Sequence, residues 1–305
     1  MRRAVQAVRR LAAGLVLGLA TSMATSMATS MAAAAPQDKT QGYRFEIVTG
    51  DDSAVTARIA DDLYKRLVPT FAAFRTELAQ KRRMVTIAIG PDALRQAAAR
   101  RCDCVVIAAF TSSQVWRSVT AALPPARAAS MTAVYAEPAP LDQLQLASLL
   151  YRRPVRVAAI VGPDADIFVH SLQGKLDLVR ATPDDDIGEL LGRIGRSEAL
   201  LALPDSAVFT PENVRSILLA TYRRKQAVIG FSSDMVKVGA LATTYSDIED
   251  INAQVAEVAA AFVASGELPA PQFPRYFRTT INEGVARSLD IVVGNDARGF
   301  ARPRP

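Results

Sequence analysis

At 305 residues, half of them hydrophobic, the chain can bury a sizeable core as two compact α/β lobes or as one large domain. Lys and Arg number 36 against 30 Asp and Glu, but four of the arginines precede residue 11 and the others are spread along the chain in runs of three at most. That distribution excludes a nucleic-acid footprint, which needs basic residues gathered on a groove or helix.

Arg2, Arg3, Arg9 and Arg10 precede the apolar run 11–20, and alanines 32–35 supply small residues before Pro36. That order predicts a secretory signal peptide over residues 1–34, cut after Ala34 or a neighbouring alanine. Arg9-Arg10 lacks the polar and aromatic surroundings of a twin-arginine signal, so general secretion is expected. The sequence ATSM, repeated three times over 20–31, is too polar to extend the apolar run into a membrane span of ~20 residues. With no cysteine near the cut, lipid attachment is not expected. Beyond residue 34, 32 basic residues face 30 acidic ones, so the remaining chain is near neutral.

From Tyr43 onward, short apolar runs alternate with helix-period segments, the rhythm of βα units and a parallel sheet. YRFEIVTG predicts the first strand. Asp51-Asp52-Ser53 then offers an N-cap to a helix carrying Val55, Ile59, Leu63 and Leu67, which Pro69 is expected to interrupt. Strands follow at 84–90, 104–110 and 131–135. Cys102 and Cys104 are expected as two small half-buried thiols, because a bond between residues i and i+2 of a strand is strained, with a disulfide in an oxidising compartment as the alternative. Pro138 and Pro140 stiffen a crossover, which leads through a helix at 141–150 to a strand at 155–162.

Further on, Asp184-Asp185-Asp186 reads as helix capping and not as a metal site. Thr210 caps a helix that opens at Pro211, AVIGFS predicts a strand at 227–232, and another apolar strand is expected at 239–245. Ser246 and Glu249 have capping-box spacing before a helix that stops at Gly266. Residues 294–305 read as a mobile, Pro-containing tail.

Three segments, LPDSAVF, ILLATYRRKQAVIGFSSDMVKVGALATTYSD and PRYFRTTINEGVARSLDI, stand in one order between residues 203 and 291. As an ordered string this half resembles the carboxy-terminal half of ABC-transporter substrate-binding proteins of the type I periplasmic fold, in the branch that includes tryptophan-binding homologues. Residues 131–163 are similar to the crossover of those proteins, and 43–130 share only their rhythm. The resemblance implies an α/β architecture of two Rossmann-like lobes with parallel sheets. Lobe 1 would take 43–137 plus about 248–268, and lobe 2 would take 138–247 plus about 269–293. It further implies a monomer in the periplasm, with a small-molecule ligand in the cleft and an ABC permease in the inner membrane as partner.

Ligands of parallel α/β sheets bind beyond the carboxyl ends of the strands. The polar residues expected there are Ser53, Thr111, Ser112, Asp205, Ser206, Ser232, Ser233 and Asp234, together with Asp51, Asp52, Asp92, Ser113 and Asp164. Hydroxyls and helix N-termini can hold a carboxylate, and Asp205 or Asp234 can pair with an ammonium, which suits an amino acid-like zwitterion. Trp116 and Tyr135 are read as core, with stacking on an aromatic ligand as the alternative. Catalysis is not expected. His170 is the one histidine, with no G-x-S-x-G elbow, and no P-loop, H-E-x-x-H or dinucleotide motif implies a cofactor or metal. The remaining alternatives are a sensory or accessory binding protein with no permease of its own and, behind it, a hydrolase.

Overall fold

A computed structural model describes residues 43–72, 83–182 and 184–305. The expected signal peptide lies outside them. Among the described residues no helix is long and apolar enough to cross a membrane.

The first sheet is made by β1 (Tyr43–Thr49), β2 (Arg83–Ile89), β3 (Cys104–Thr111) and β4 (Met131–Tyr135), all parallel and in the order β1-β2-β3-β4. Helices α1 (Ala54–Ala72), α2 (Gly90–Ala99), α3 (Ser113–Ala121) and the single turn α4 (Pro125–Ala128) connect them. The interior strands read as unbroken apolar runs because both faces are covered. Ile59, Leu63, Leu67 and Phe71 of α1 pack on one face against Val85, Ile87, Val105 and Ile107. Leu94, Ala97 and Trp116, from α2 and α3, pack on the other against Ala88, Val106, Ala108 and Ala133.

This arrangement has a topological consequence. The crossovers β1-α1-β2 and β2-α2-β3 step the same way along the sheet with their helices on opposite faces, so they have opposite hands. One of them must be left-handed, which is rare for parallel crossovers. Helix α1 also runs through Pro69, where an interruption was expected. Loss of one backbone hydrogen bond near its end is outweighed by burial of the stripe from Ile59 to Phe71.

The second sheet holds β5 (Val157–Val161), β6 (Asp177–Arg180), β7 (Ala199–Leu201), β8 (Ala227–Ile229), β9 (Ala242–Tyr245) and β10 (Arg278–Ile281) in the order β10-β9-β8-β7-β5-β6, with only β10 antiparallel. Its helices are α5 (Pro140–Tyr151), α6 (Asp166–Leu172), α7 (Ile187–Arg193), α8 (Pro211–Arg223) and α9 (Ser233–Lys237). The chain steps from β5 outward to β6 and then returns to β7 on the other side of β5. The strand order therefore reverses between β5 and β7.

Helix α10 (Ile248–Ser265) leaves the second sheet and packs Ile251, Val255, Val258 and Phe262 onto the first, beside α1. Its N-cap is Asp247, boxed with Asp250, one residue beyond the Ser246/Glu249 pair read from spacing. Ser246 instead donates to the Tyr276 carbonyl. The chain then returns through β10 to α11 (Glu283–Ser288) and α12 (Asn295–Arg298). Three connections thus join the two sheets, near 136–139, 246–247 and 266–277.

Two readings are corrected. Cys102 and Cys104 form a disulfide and are not free thiols, since the turn before β3 brings their Cα atoms to 5.2 Å, within bonding range. Residues 294–305 are packed. Arg302 pairs its backbone with Phe277, Phe300 stacks at 5.2 Å on the Phe277 ring, and Arg304 Nε lies 2.8 Å from the buried Asp250 carboxylate. Arg302 also reaches Asp142 on α5, at 3.4 Å. The tail therefore touches α10 on the first sheet and α5 on the second. Composition marks polar, Pro-rich ends as mobile, but these arginines and Phe300 each meet a partner.

Candidate functional site

Open α/β sheets bind ligands where the strand order reverses, beyond the carboxyl ends of the strands. In the second sheet those ends carry Gly162-Pro163-Asp164 after β5 and the loop 202–206 after β7. The first lobe answers with Thr111 at the end of β3, Ser112 capping α3, and Glu137 just past β4.

Asp164 makes a polar contact between the lobes. Its Oδ2 accepts from the Gln114 side chain of α3, and from both the backbone N–H and the hydroxyl of Ser206. Charge-assisted hydrogen bonds of this kind are the stronger ones, so Gln114 and Asp164 latch the facing rims.

Asp205 is 3% exposed. One carboxylate oxygen accepts from Ala207 and Val208 N–H, at 3.0 and 3.2 Å, and the other accepts from Ala165 N–H at 3.0 Å. It stitches the β7 loop to the turn after β5. Gly162 is required beside it, because a Cβ there would lie 2.5 Å from the Asp205 Oδ1.

Glu137 is 5% exposed, and its Oε1 accepts the Ser113 N–H at 2.8 Å. The other oxygen, Oε2, is buried with no hydrogen-bond partner, and the Ser113 hydroxyl, also buried, lies close enough to the carboxyl to favour its charged form. Burial pushes the Glu137 carboxyl above its ordinary pKa, opposed by Ser113. A folded-state pKa above the unfolded value means the native chain holds this proton to higher pH. Unfolding free energy then falls as pH rises from the ordinary glutamate range through the folded-state value. Urea unfolding of wild type and Glu137→Gln, stepped over about pH 4 to 7, is expected to show this decline in the difference between the two proteins. A difference that does not change with pH would contradict the assignment.

The sequence-picked residues fall into three groups. Thr111, Ser112, Asp205 and Ser206 gather around the Gln114–Asp164 latch. Ser53 lies past β1, where it caps α1 through the Thr56 N–H. Ser232 caps α9 through the Met235 N–H, and Asp234 is exposed and paired with Lys237. Among the described residues no hydrogen bond or ion pair ties Ser53, Ser232, Ser233 or Asp234 to the latch. Trp116 and Tyr135 are core residues, 5% and 6% exposed. His170 is exposed on α6. The sequence reading passed over Gln114 and Glu137. An acid set between a strand and two prolines was the one signal for Glu137, and nothing local marks Gln114.

No protein-family model matches the chain, and no curated protein matches it. Solved structures do. A ligand-free, open substrate-binding protein with adhesive properties from Clostridium difficile superposes with a TM-score of 0.57 at 12% identity, covering 84% of this chain and 97% of that one. An ABC domain in complex with L-Trp from Streptococcus pneumonia gives 0.52 at 13%, covering 86% and 98%. The chain has the type I periplasmic-binding fold. A conserved domain protein from Vibrio cholerae O1 biovar El Tor shares this fold at a TM-score of 0.50 and 15% identity, covering 87% and 99%. The low identities carry the architecture over and leave the site to be argued from this chain's residues. In this fold the latch lies between the lobes, and the reversal between β5 and β7 opens onto it.

Proposed function

We propose that the chain is an extracytoplasmic solute-binding protein of an ABC importer. It holds a small polar or zwitterionic, amino acid-like solute between its lobes as a monomer and does no covalent chemistry. One observation carries the reading. The strand-order reversal of the second lobe faces the β3 and β4 ends of the first, and the rims meet through the polar Gln114–Asp164 latch, while Phe273 of the third connection bridges Tyr135 and Phe168 beside it.

Hydrogen-bonded rims of this kind can part and re-form around a solute, whereas an apolar seal would resist opening. Ser112 and Ser206 offer hydroxyls on the two rims, whereas Thr111 is 2% exposed and its hydroxyl donates to the Ala109 carbonyl. Asp205 supports this reading as the brace that shapes the second rim, because its carboxylate is already spent on three backbone N–H groups. Closure around the solute is what a membrane permease would read.

A thermal-shift screen of amino acids, small peptides, sugars and nucleosides is expected to find a stabilising solute. At a hundredfold excess over Kd the native state gains about 2.7 kcal/mol by mass action. Silence across the panel, with turnover of any substrate in its place, would remove the binding reading and restore the hydrolase alternative.

A further inference from the structure

We propose that Glu137, with the Ser113 hydroxyl beside it, is the anchor for a positively charged amino group on the bound solute. This rests on the solute-binding reading above. Glu137 is 5% exposed and Ser113 1%, the Glu137 Oε2 is buried with no partner, and the Ser113 hydroxyl beside it keeps its lone pairs unused. The Ser113 hydroxyl can turn toward the carboxyl, but a hydroxyl brings no charge, and a buried carboxylate is nearly always matched by a cation, so this one calls for an occupant.

The occupant's chemistry follows from the charge. No Lys or Arg pairs with Glu137 among the described residues. The groups around it are Tyr135 on its own strand, Ser113 on α3, and Arg117 one turn further along α3, whose charge acts on Tyr135. Asp164 of the other lobe is reached through Gln114 and adds negative charge. A sugar hydroxyl can satisfy the lone pairs and leave the charge uncompensated. An ammonium supplies N–H donors for Glu137 Oε2 and Ser113 Oγ and cancels the charge, which is what a desolvated carboxylate requires.

The test uses calorimetric titration and thermal unfolding of the wild-type protein, Glu137→Gln and Ser113→Ala. The probes are the common amino acids, tryptamine, the amine-free indole-3-propionate, and D-ribose. The wild type is expected to bind at least one amine-bearing probe and to prefer tryptamine over indole-3-propionate. Glu137→Gln should lose at least tenfold in affinity for the amine probe while unfolding at the same or a higher temperature, since the amide carries no charge to desolvate. A residue with a purely structural role would instead lower the unfolding temperature.

Ser113→Ala should cost about threefold, and it decides the matter if Glu137→Gln does not fold. The anchor is overturned if a folded Glu137→Gln keeps amine affinity within twofold, if Ser113→Ala standing in for it changes nothing, or if amine-free probes bind the wild type as tightly as their amine counterparts. Should no probe bind the wild type, the solute-binding reading itself falls and takes the anchor with it.

Discussion

Replacing Asp205 with alanine is expected to lower the unfolding free energy by about 3 kcal/mol, because it strands three backbone donors at once. Ala165, Ala207 and Val208 each give an N–H to this carboxylate, and the Ala165 and Val208 bonds are fully buried. Each abandoned donor costs about 1–3 kcal/mol, and entry of water into the vacated space recovers part of the sum. Asp205→Asn should cost less, since its oxygen can keep two of the three donors, although its amide then meets the third donor head-on. Gly162→Ala should displace the same carboxylate, whose Oδ1 would lie 2.5 Å from the new Cβ. Destabilisation by the pair should therefore fall well short of the summed single effects, as expected when two changes break one network. Urea unfolding of the four proteins measures this, and strict additivity would show that Gly162 and Asp205 act independently.

Removal of residues 300–305 is the second large effect, also about 3 kcal/mol, with most of it arising at Asp250. Asp250 is 3% exposed, and burial raises its carboxyl pKa with the Asp247 carboxylate adding to the rise, while the Asp247 N–H and Arg304 favour the charged form. Truncation leaves that carboxylate buried beside Asp247 without its cation. Loss of one partner of a buried pair costs about 3–5 kcal/mol, reduced here because Arg304 is partly exposed. The tail also removes Phe300 from the Phe277 ring, and the Arg302 guanidinium that lies 4.8 Å from the centre of that ring. Arg304→Ala alone should account for about half of the loss. The shortened chain should also grow less stable as pH rises through the range where Asp250 ionises, because its folded-state pKa would climb further above the unfolded value. Unfolding free energies of the truncated and full chains over that pH range test this, and a loss below about 0.5 kcal/mol would make the tail a surface appendage.

Both effects depend on contacts between distant segments, and that separates what was legible in the sequence from what was not. The βα rhythm from Tyr43 onward announced βα units and parallel pairing, because strand runs of period two and helical stripes of period four are local patterns, while the division into two lobes came from the family resemblance. Helix caps were legible for the same reason. Ser53, Ser112, Thr210 and Ser232 all cap within three residues of themselves, as their spacing says. That legibility has a limit, since a hydroxyl or carboxylate after a strand looks the same whether it serves a helix cap or a ligand. Asp234 was picked as an ammonium partner and lies exposed against Lys237, three residues away on the same helix.

Residue order alone determined the α/β class, the alternation of elements and most helix starts, all of which are set by neighbours within one turn or one strand. Tertiary structure decided the opposite hands of the first two crossovers, the reversal between β5 and β7, the Gln114–Asp164 latch and the burial of Glu137. Those features join residues 24 to 50 positions apart or depend on which face of a sheet a helix covers. The physical reason is burial. Whether an acid is a solvated surface group, a brace such as Asp205 or an unpaired carboxylate such as Glu137 depends on how much water the fold removes from around it, which the identity of its sequence neighbours does not specify.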